Sequence, residues 1–505
     1  MMPTSPATDN AFHPMEDRSY HRALFEPRSI AFIGASNAAT KWGFNILHHL
    51  IKGGFSGDIY PINPQGGTWF GRELYTSLAG VPRPVDLAVI VVPKERVPDT
   101  MRECAAAGIP AAIIITAGFG ETGPGGAALE REVLSIARAG GIRFVGPNTM
   151  GIFSAYPSPV QSVMMSSQLK QGGVAVVSQS GNLATSLSYR FTRREIGISR
   201  LVSSGNEADL TIEDYLVYLE TDERTRIICL YVEGLRQGRR FLDTARRVSL
   251  TKPIILLKGG TGSTGAGAAL SHTGAMAGSF AVFHAMCRQA NIITAATIDE
   301  MVNVSGFILS QPEFTGKRIG IVTLGGGWGV ISADLCEKAG LELPPLDRRV
   351  VAELDAFLPP FWSRRNPIDL VAPGRVSMIT DSIEALMEHA DMDAIVLLGL
   401  GYMTSRARRW LDSPVLPRAA MEGHARGMID GEMELLDLVV QQIRQFNKPI
   451  IPVIDLVAFD EAAAGNIVKH LDREGIMAYS SPEQAIGALA RSQDYFRKRR
   501  ARTGR

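Results

Sequence analysis

The chain has 505 residues, of which 45% are hydrophobic and 20% are charged, and its formal net charge is +1. This composition excludes an intrinsically disordered chain, and the near-zero charge gives no overall attraction to nucleic acid or to a membrane surface. At roughly 100–200 residues per domain, the length predicts about three or four domains.

The N-terminal segment and the cysteines bear on the cellular compartment. Residues 1–24 contain no apolar stretch flanked by basic residues, so they are predicted to be a flexible tail rather than a signal peptide. Cys104, Cys229, Cys287 and Cys336 are scattered without a CxxC pair, which is typical of reduced core cysteines. The longest apolar runs, such as LAVIVV, are far shorter than the roughly 18 residues that span a bilayer. We therefore expect a cytoplasmic protein that does not contact the membrane.

The first domain is expected over residues 25–150. The apolar run SIAFI is followed by a turn of small residues at Gly34, Ala35 and Ser36 and by a helical pattern that begins near Lys41. Further apolar strands alternate with amphipathic helices, which predicts a parallel sheet covered on both faces. The turn should leave free N–H groups at a helix N-terminus, where phosphate groups bind.

A nicotinamide site in this chain is disfavoured by the glycine spacing. The segment IGASNAATKWG lacks the GxGxxG pattern, and Asn63, Pro64 and Gln65 follow the second strand where a ribose-binding acid would stand. Residues 260–265 do match GxGxxG, but no acidic residue follows about 20 positions later. The alternative that the first turn only lets the helix approach the strand closely stays open.

The second domain is expected over residues 151–312 and begins with a linker, residues 151–171. The apolar strand GGVAVV is then followed by a Ser/Gly/Asn cluster and a helical pattern. Ser180 and Gly181 should lie at the N-terminus of that helix, which is a favourable place for an oxyanion. A serine that only caps the helix would explain Ser180 but not the whole cluster.

Glu233 and His272 are the candidate reactive pair of the second domain. Glu233 follows the strand IICLYV, and the next strand, PIILLK, leads into a loop rich in Gly, Ala, Ser and Thr that carries His272. Because the carboxyl ends of parallel strands share one edge, the carboxylate could fix the imidazole tautomer there. His272 could act as a base, a metal ligand or a nucleophile, although no Cys or second His at helical spacing supports a metal. A surface or helix-capping role stays the alternative for Glu233.

The third domain is expected over residues 313–490. It opens with a strand, a glycine turn at residues 325–329 and a helix, and further apolar strands follow. Asn366 and Asp369 lie in a polar segment that is either a binding loop or a turn. The basic residues 491–505 are predicted to form a solvated tail without a role in nucleic-acid binding.

Taken in order, these segments resemble the nucleotide-diphosphate-forming acyl-CoA synthetases, relatives of succinyl-CoA synthetase, and in particular their α part. The resemblance runs from about Arg28 to Phe496 and rests on six motifs: AGFGETG (117–123), GPN (146–148), SQSG (178–181), SGNEAD (204–209), SHTGAMAGS (271–279) and NPID (366–369). It implies an α/β fold of three consecutive doubly wound domains with mainly parallel sheets. The first would be a Rossmann-like CoA-binding domain, and the other two would be succinyl-CoA-synthetase-like domains of flavodoxin type, with the phosphohistidine loop in the second.

The resemblance also implies roles for individual residues. In that family the histidine of the SHTG loop is phosphorylated during turnover, which implies this role for His272, with Glu233 orienting the imidazole. It implies phosphate binding at Ser180, Gly181, Thr273 and Gly274. It implies CoA contacts at Gly34, Ala35, Ser36, Asn63, Pro64, Pro93, Glu121 and Asn148, and no metal ligand.

The implied reaction converts acyl-CoA and phosphate into acyl phosphate and CoA, and then passes the phosphoryl group through His272 to a nucleoside diphosphate. Synthesis of acyl-CoA from a small carboxylic acid is the reverse. Fused members of the family continue into an ATP-grasp domain, whereas only the short basic segment follows here, and no GxxxxGK occurs. The resemblance therefore implies an α subunit of a hetero-oligomer whose separate ATP-grasp β subunit binds ATP or ADP and Mg²⁺.

The sequence departs from the family at two positions. Gln65 replaces a lysine that is common in the family's NPK segment, and Trp328 stands where proline is usual. One alternative function is a non-catalytic regulatory protein that binds CoA or acyl-CoA. A second alternative, suggested by the glycine motifs, is an NAD-dependent oxidoreductase.

Overall fold

The computed structural model describes residues 19–163, 169–262, 280–371, 375–388, 392–458 and 460–504. Its three large sheets follow one another along the chain, and the strands of each sheet are mainly parallel. The α/β fold of consecutive doubly wound units that the sequence predicts is thereby confirmed.

The first sheet has five parallel strands in the order β2-β1-β5-β6-β7. The elements of this part of the chain are α1 (Ser19–Phe25), β1 (Ser29–Ile33), α2 (Trp42–Lys52), β2 (Asp58–Ile62), β3 (Thr68–Trp69), β4 (Arg72–Glu73), β5 (Leu87–Ile90), α3 (Val97–Ala106), β6 (Ala111–Ile114), α4 (Pro124–Ala139) and β7 (Arg143–Val145). The central strands β1, β5 and β6 are buried along their length because helices cover both faces of the sheet. Strands β3 and β4 form a separate two-stranded hairpin.

The prediction of a flexible tail over residues 1–24 is wrong for residues 19–24. Helix α1 begins at Ser19, and its side chains Tyr20, Leu24 and Phe25 are buried in the core that the first two sheets share. An amphipathic turn of this kind is ordered by burial of its apolar side chains rather than by helix propensity.

The second sheet has seven strands in the order β14-β13-β12-β10-β11-β8-β9. Its elements are β8 (Ile152–Ser154), β9 (Val160–Gln161), β10 (Gln171–Ser178), α5 (Gly181–Arg193), β11 (Ile198–Ser203), α6 (Ile212–Thr221), β12 (Ile227–Val232), α7 (Gly238–Val248), β13 (Ile254–Lys258), α8 (Phe280–Ala290), β14 (Ile293–Ala295) and α9 (Ile298–Ser310). The predicted linker over residues 151–171 is therefore wrong in part. Its β8 and β9 join the sheet as antiparallel edge strands.

The third sheet has four parallel strands in the order β16-β15-β17-β18. Its elements are β15 (Ile319–Thr323), α10 (Gly326–Lys338), α11 (Arg348–Asp355), β16 (Ile368–Asp369), α12 (Ser377–Glu388), β17 (Ala394–Leu398), α13 (Tyr402–Leu411), α14 (Arg418–Phe446), β18 (Ile450–Val453), α15 (Glu461–Arg473) and α16 (Pro482–Thr503). The side-chain amide of Asn366 is used inside the fold, because it accepts from Ile321 N at 3.0 Å and donates to Ile319 O at 2.7 Å. Of the two interpretations of this segment, the geometry favours a structural turn.

The basic residues 491–505 do not form the solvated tail that the sequence predicts, since α16 continues to Thr503. Tyr495 and Phe496 are buried, and the Tyr495 hydroxyl donates to Ser249 O at 2.8 Å. The guanidinium of Arg499 lies over both aromatic rings and pairs with Glu313. Long cationic side chains can cover apolar surface while their charges stay at the protein surface. Helix α16 thus packs across the second and third sheets, whose side chains share one hydrophobic core.

No helix within the described residues is both long and apolar enough to cross a membrane.

A buried carboxylate occupies the N-terminus of α13. Glu432 on α14 is 1% exposed, and its two oxygens accept from Gly401 N and from Thr404 N, each at 2.7 Å. Gly401 has a φ of 94°, a left-handed conformation that glycine adopts without strain. Glu432 therefore satisfies two N–H groups that the helix itself leaves unpaired, and its charge is favourable at the positive end of the helix dipole.

Replacing Glu432 tests this cap. Glu432→Ala should lower the free energy of unfolding by about 2–3 kcal/mol, because two buried N–H groups lose their acceptors. Glu422→Ala on the same helix is the control, since Glu422 pairs with Arg418 at the surface and its loss should cost less than about 0.5 kcal/mol. Chemical denaturation measures both values. Equal stabilities of the two variants would contradict the capping role.

Candidate active site

A cavity of about 730 Å³ lies between the carboxyl-end turns of the first sheet and the start of α5. Its volume is within the range of small-molecule and cofactor sites. Five of the residues singled out from the sequence line it, namely Gly34, Ser36, Asn148, Ser180 and Gly181. Residues from two sheets that are far apart in the chain thus face one space.

The turn after β1 brings helix α2 very close to the neighbouring strands. A Cβ on Gly34 would lie 2.3 Å from Val91 O, and a Cβ on Gly43 would lie 2.0 Å from Gly34 O. Gly34 also has a φ of 106°, which side chains disfavour. Both glycines are therefore required for the close approach of α2 to the strands, as the alternative interpretation of this turn holds. Gly34 and Gly43 also line the cavity.

The expected free N–H groups at this turn are only partly present. The N–H groups of Gly34 and Ala35 both donate to Ile62 O at 3.1 Å, so the prediction is wrong for these two groups. The Ser36 hydroxyl accepts from Ala38 N at 3.2 Å and remains half-exposed at the cavity. Lys41, which sequence reasoning did not select, precedes α2 and lines the same cavity with an exposed side chain.

Asn63 braces the turn from the neighbouring strand. Its side-chain amide donates to Ala35 O at 2.8 Å and accepts from Gln65 N at 2.9 Å. Pro64 is exposed next to it, and Pro93 is exposed where the chain enters the short helical turn Lys94–Arg96. Neither proline is among the residues that line the cavity.

Glu121 is used in a contact between the first two sheets. Its carboxylate accepts from Gly118 N and Asn206 Nδ2, both at 2.5 Å. Burial alone would raise the pKa of Glu121, but the hydrogen bonds from Asn206 and from the N–H groups of Gly118 and Phe119 outweigh burial and hold that pKa below its ordinary value. Asn148 lines the cavity and donates to Asn206 Oδ1 at 3.2 Å.

Ser180 and Gly181 lie at the N-terminus of α5, as the sequence predicts, and both line the cavity. Ser180 is the N-cap residue, yet its side chain makes no capping hydrogen bond, so the plain-cap alternative does not hold. A Cβ on Gly181 would lie 2.0 Å from the Met150 side chain, which explains the glycine. The first backbone hydrogen bond of the helix runs from Ala184 N to Ser180 O. The N–H groups before Ala184 are those that a helix leaves for an anion.

Glu233 lies directly after β12, and Lys258 is the last residue of β13. The two strands are parallel neighbours, with Val232 opposite Lys258, so the chain beyond Lys258 leaves the edge at which Glu233 lies. This confirms the predicted adjacency of the strands. His272, Thr273 and Gly274 themselves lie outside the described residues.

Hydrogen bonds from residues on β12 and β13 and to the residue after β10 hold Glu233 in place. Its backbone N–H donates to Gln179 Oε1 at 2.6 Å, and its carbonyl accepts from Lys258 Nζ at 2.7 Å. The Tyr231 hydroxyl donates to the Glu233 carboxylate at 3.4 Å. Burial, and then the charge of Glu233, raise the pKa of Tyr231 to about 12, so this hydroxyl keeps its proton at neutral pH. Burial lowers the pKa of Lys258, an effect that Glu233 opposes.

Gln179, Lys258 and Glu207 were missed as site residues by the sequence reasoning. Gln179 and Glu207 were visible within the SQSG and SGNEAD motifs, but a motif does not show which of its side chains meet in space. Glu207 is 4% exposed, and the oxygens of its carboxyl group accept from Ser204 Oγ at 2.7 Å and from Gln179 Nε2 at 3.1 Å. Burial raises the pKa of Glu207 to about 8, and the nearby charge of Glu213 adds to the effect, whereas the two hydrogen bonds and Arg236 oppose it.

No group of three or more His, Cys, Asp or Glu side chains is arranged to hold a metal ion in the part of the chain that the structure describes.

Comparison with known proteins gives consistent matches along the chain. Residues 28–155 match the model of a CoA binding domain, and residues 171–308 match a succinyl-CoA ligase like flavodoxin domain. The acetate–CoA ligase (ADP-forming) II subunit alpha of Pyrococcus furiosus is 35% identical over 465 residues, which cover 92% of this chain and 95% of that protein. Subunit alpha of ligase I from the same organism is 36% identical, with 93% and 96% covered.

A solved structure is similar over the same length. The dinucleotide forming acetyl-coenzyme A synthetase 1 of Candidatus Korarchaeum cryptofilum, in complex with phosphate and ADP, superposes with a TM-score of 0.81 at 32% identity. The superposition covers 95% of this chain and 97% of that chain.

The raised pKa of Glu207 predicts a pH-dependent stability. Since the folded chain keeps a proton that the unfolded chain releases above its ordinary pKa of 4.5, this group's stabilising contribution is complete below 4.5 and is lost as pH rises to about 8. Glu207→Gln removes this titration. The melting temperature of the variant relative to the natural chain should therefore rise between about pH 5 and about pH 9, and a difference that does not change with pH would contradict the prediction.

Proposed function

Because the chain belongs to the family of the ADP-forming acetate–CoA ligase α subunits, it is a subunit of an acid–thiol ligase, and we propose that it binds CoA in the cavity and carries phosphate on His272. The reaction interconverts acyl-CoA, phosphate and ADP with a carboxylic acid, CoA and ATP. The relatives favour this function over a regulatory CoA-binding protein and over a nicotinamide-dependent oxidoreductase.

One observation carries the proposal: the turn after β1 and the N-terminus of α5 face the same cavity of about 730 Å³. The first group suits the phosphates and pantetheine arm of CoA, because the half-exposed Ser36 hydroxyl and the exposed Lys41 side chain line the cavity there. The second suits inorganic phosphate, because Ser180 and the first N–H groups of α5 are positioned to bind an anion. A thioester carbonyl and a phosphate would thus be held next to each other.

The proposed chemistry has three balanced steps. A phosphate oxygen attacks the thioester carbonyl carbon, the C–S bond breaks, and CoA leaves as the thiolate while acyl phosphate forms. A ring nitrogen of His272 then attacks phosphorus and the carboxylate leaves. In the third step an oxygen of the terminal phosphate of ADP attacks the phosphohistidine, which gives ATP and frees His272.

The proposed site residues have distinct roles in these steps. Ser180, Gly181, Thr273 and Gly274 donate hydrogen bonds to the phosphoryl oxygens, which stabilises the charge that these oxygens carry in the transition state. Glu233 accepts from the other ring nitrogen of His272 and so fixes the tautomer that attacks. The position of Glu233 on the edge from which the chain leaves β13 supports this role.

For CoA, we assign direct contact to Gly34, Ser36 and Asn148, which line the cavity. Ala35 and Asn63 hold the shape of the turn, and Glu121 holds residues 118–119. Pro64 and Pro93, both exposed, would meet the outer part of CoA. Lys41 supplies a cation at the cavity, which can take the place of the lysine that is absent at Gln65.

The α-subunit names of the relatives imply a partner subunit. We propose that this partner is an ATP-grasp β subunit that binds the nucleotide and Mg²⁺, consistent with the absence of GxxxxGK from the sequence. The four cysteines are buried and free, which supports a reducing compartment such as the cytoplasm. The acid is a small carboxylic acid, and a panel of acids assayed with the assembled complex would identify it.

Phosphate labelling tests the proposed function. Incubating the complex with ATP labelled at the γ-phosphate should place acid-labile, base-stable phosphate on this chain, because a phosphoramidate bond hydrolyses in acid. His272→Ala should abolish the label. His284→Ala is the matched control, since His284 lies on α8 shortly after the loop and pairs with Arg288, and it should label normally. A His272→Ala chain that labels like the natural one would overturn the assignment.

A further inference from the structure

Residues 204–209 form a loop, here called the 204–209 loop, that the proposed function leaves without a role. It follows β11 and passes beneath the turn after β7 in the first sheet. A Cβ on Gly205 would lie 2.3 Å from Pro147 O, and Asn206 N donates to the same oxygen at 3.0 Å. Asn206 also donates to Glu121 and, at 2.9 Å, to Glu130. The loop is therefore fixed against the first sheet.

Within the 204–209 loop, the Glu207 side chain contacts Gln179, the residue that follows β10. An acidic side chain that is 4% exposed is costly unless its oxygens are bound. Here they accept from Ser204 Oγ and from Gln179 Nε2. Glu207 also has a φ of 54°, an uncommon conformation for a residue with a side chain. Such a buried, conformationally strained acid needs an explanation beyond the stability of the loop.

The amide of Gln179 makes four hydrogen bonds and has one possible orientation. Its oxygen accepts from Glu233 N at 2.6 Å and from Gly234 N at 3.1 Å. Its nitrogen donates to Glu207 Oε2 at 3.1 Å and to Gly234 O at 2.9 Å. A flipped amide would direct its NH₂ group at two N–H donors and its oxygen at a carboxyl and a carbonyl oxygen, so Glu207 and Gly234 fix the side chain.

Gln179 also stands directly before Ser180, the N-cap residue of α5, and it lines the cavity. Its amide therefore fixes the position of the Glu233 backbone relative to the N-terminus of α5. In the proposed function, the Glu233 carboxylate binds the imidazole of His272, and the N-terminus of α5 binds the phosphoryl oxygens.

We propose that Gln179 and Glu207 are positioning residues for phosphoryl transfer: Glu207 orients the Gln179 amide, and that amide holds Glu233 in line with the α5 N-terminus. This rests on the proposed function, since it assumes that phosphate is transferred between these groups. Because catalysis depends on geometry at the level of about 1 Å, loss of either residue should slow phosphoryl transfer more than it weakens binding of CoA.

The experiment compares Gln179→Met, Glu207→Ala and Glu207→Gln in the complex with the β subunit. Methionine fills a similar volume without hydrogen bonds, and Glu207→Ala removes the acceptor for Gln179. Both should lower kcat and the rate of phosphohistidine formation by about 10- to 100-fold, while KM for CoA stays within about twofold. Glu207→Gln should restore kcat to within about threefold, because its amide oxygen can accept from Gln179 while its NH₂ donates to Ser204 Oγ.

Glu432→Ala is the control for a merely structural effect. Glu432 is similarly buried and binds two backbone N–H groups, but it lies on α14 in the third unit of the chain, so its loss should lower stability and leave kcat within about twofold. If Glu207→Ala does not fold, the kcat of Gln179→Met alone tests the proposal, because this substitution introduces neither a cavity nor a charge.

Three results would overturn the proposal: natural kcat in Gln179→Met, a Glu207→Gln variant as slow as Glu207→Ala, or a loss confined to KM for CoA. Each of these would be observed in a complex that still labels at His272, so it would leave the proposed function intact. By contrast, absence of label from the natural chain would mean that the proposed function itself fails.

Discussion

The amide of Gln179 is the contact on which the geometry of the candidate site depends. It joins the end of β10 to the end of β12 by hydrogen bonds to the backbone of Glu233 and Gly234. Strand ends in a parallel sheet are otherwise connected only through the ladder and through helices on its faces. A side-chain amide that uses all its donors and both acceptor positions removes the freedom that these ends would otherwise have. The helix start at Ser180 and the carboxylate of Glu233 are thereby held in one frame.

That frame extends into the first sheet through the 204–209 loop. Asn206 binds Glu121 and Asn148, while Glu207, next in the chain, binds Gln179. Asp209 adds an ion pair to Arg143 at the start of β7, with a separation of 2.8 Å. Two sheets that meet only through apolar contacts could slide past each other, whereas directional hydrogen bonds fix their register. The cavity between them therefore has walls of defined separation.

Much of the fold could be predicted because a parallel strand that is buried on both faces has an uninterrupted run of apolar residues in the sequence. The order β12 to β13, and with it the edge shared by Glu233 and the chain after Lys258, followed directly from IICLYV and PIILLK. Contacts between distant polar residues could not be predicted. Nothing near Glu121 indicates Asn206, which lies 85 residues further along the chain, and nothing near Gly34 indicates that Ile62 O takes its N–H group. The wrong prediction of a solvated C-terminal tail has a similar cause. The segment RKRRAR is typical of a solvated chain, and the sequence does not show that Arg499 lies over the buried rings of Tyr495 and Phe496.

The carboxylate of Glu432 has a further consequence for the third sheet. It fills the N-terminus of α13 at the carboxyl end of β17, a region where doubly wound sheets commonly receive the anionic part of a nucleotide. A competing anion from solution would have to displace a carboxylate that already accepts from both Gly401 N and Thr404 N. In the third unit, a side chain of the protein thus occupies the position that an anionic ligand would take. The N-terminus of α13 therefore stabilises the fold and does not bind a ligand.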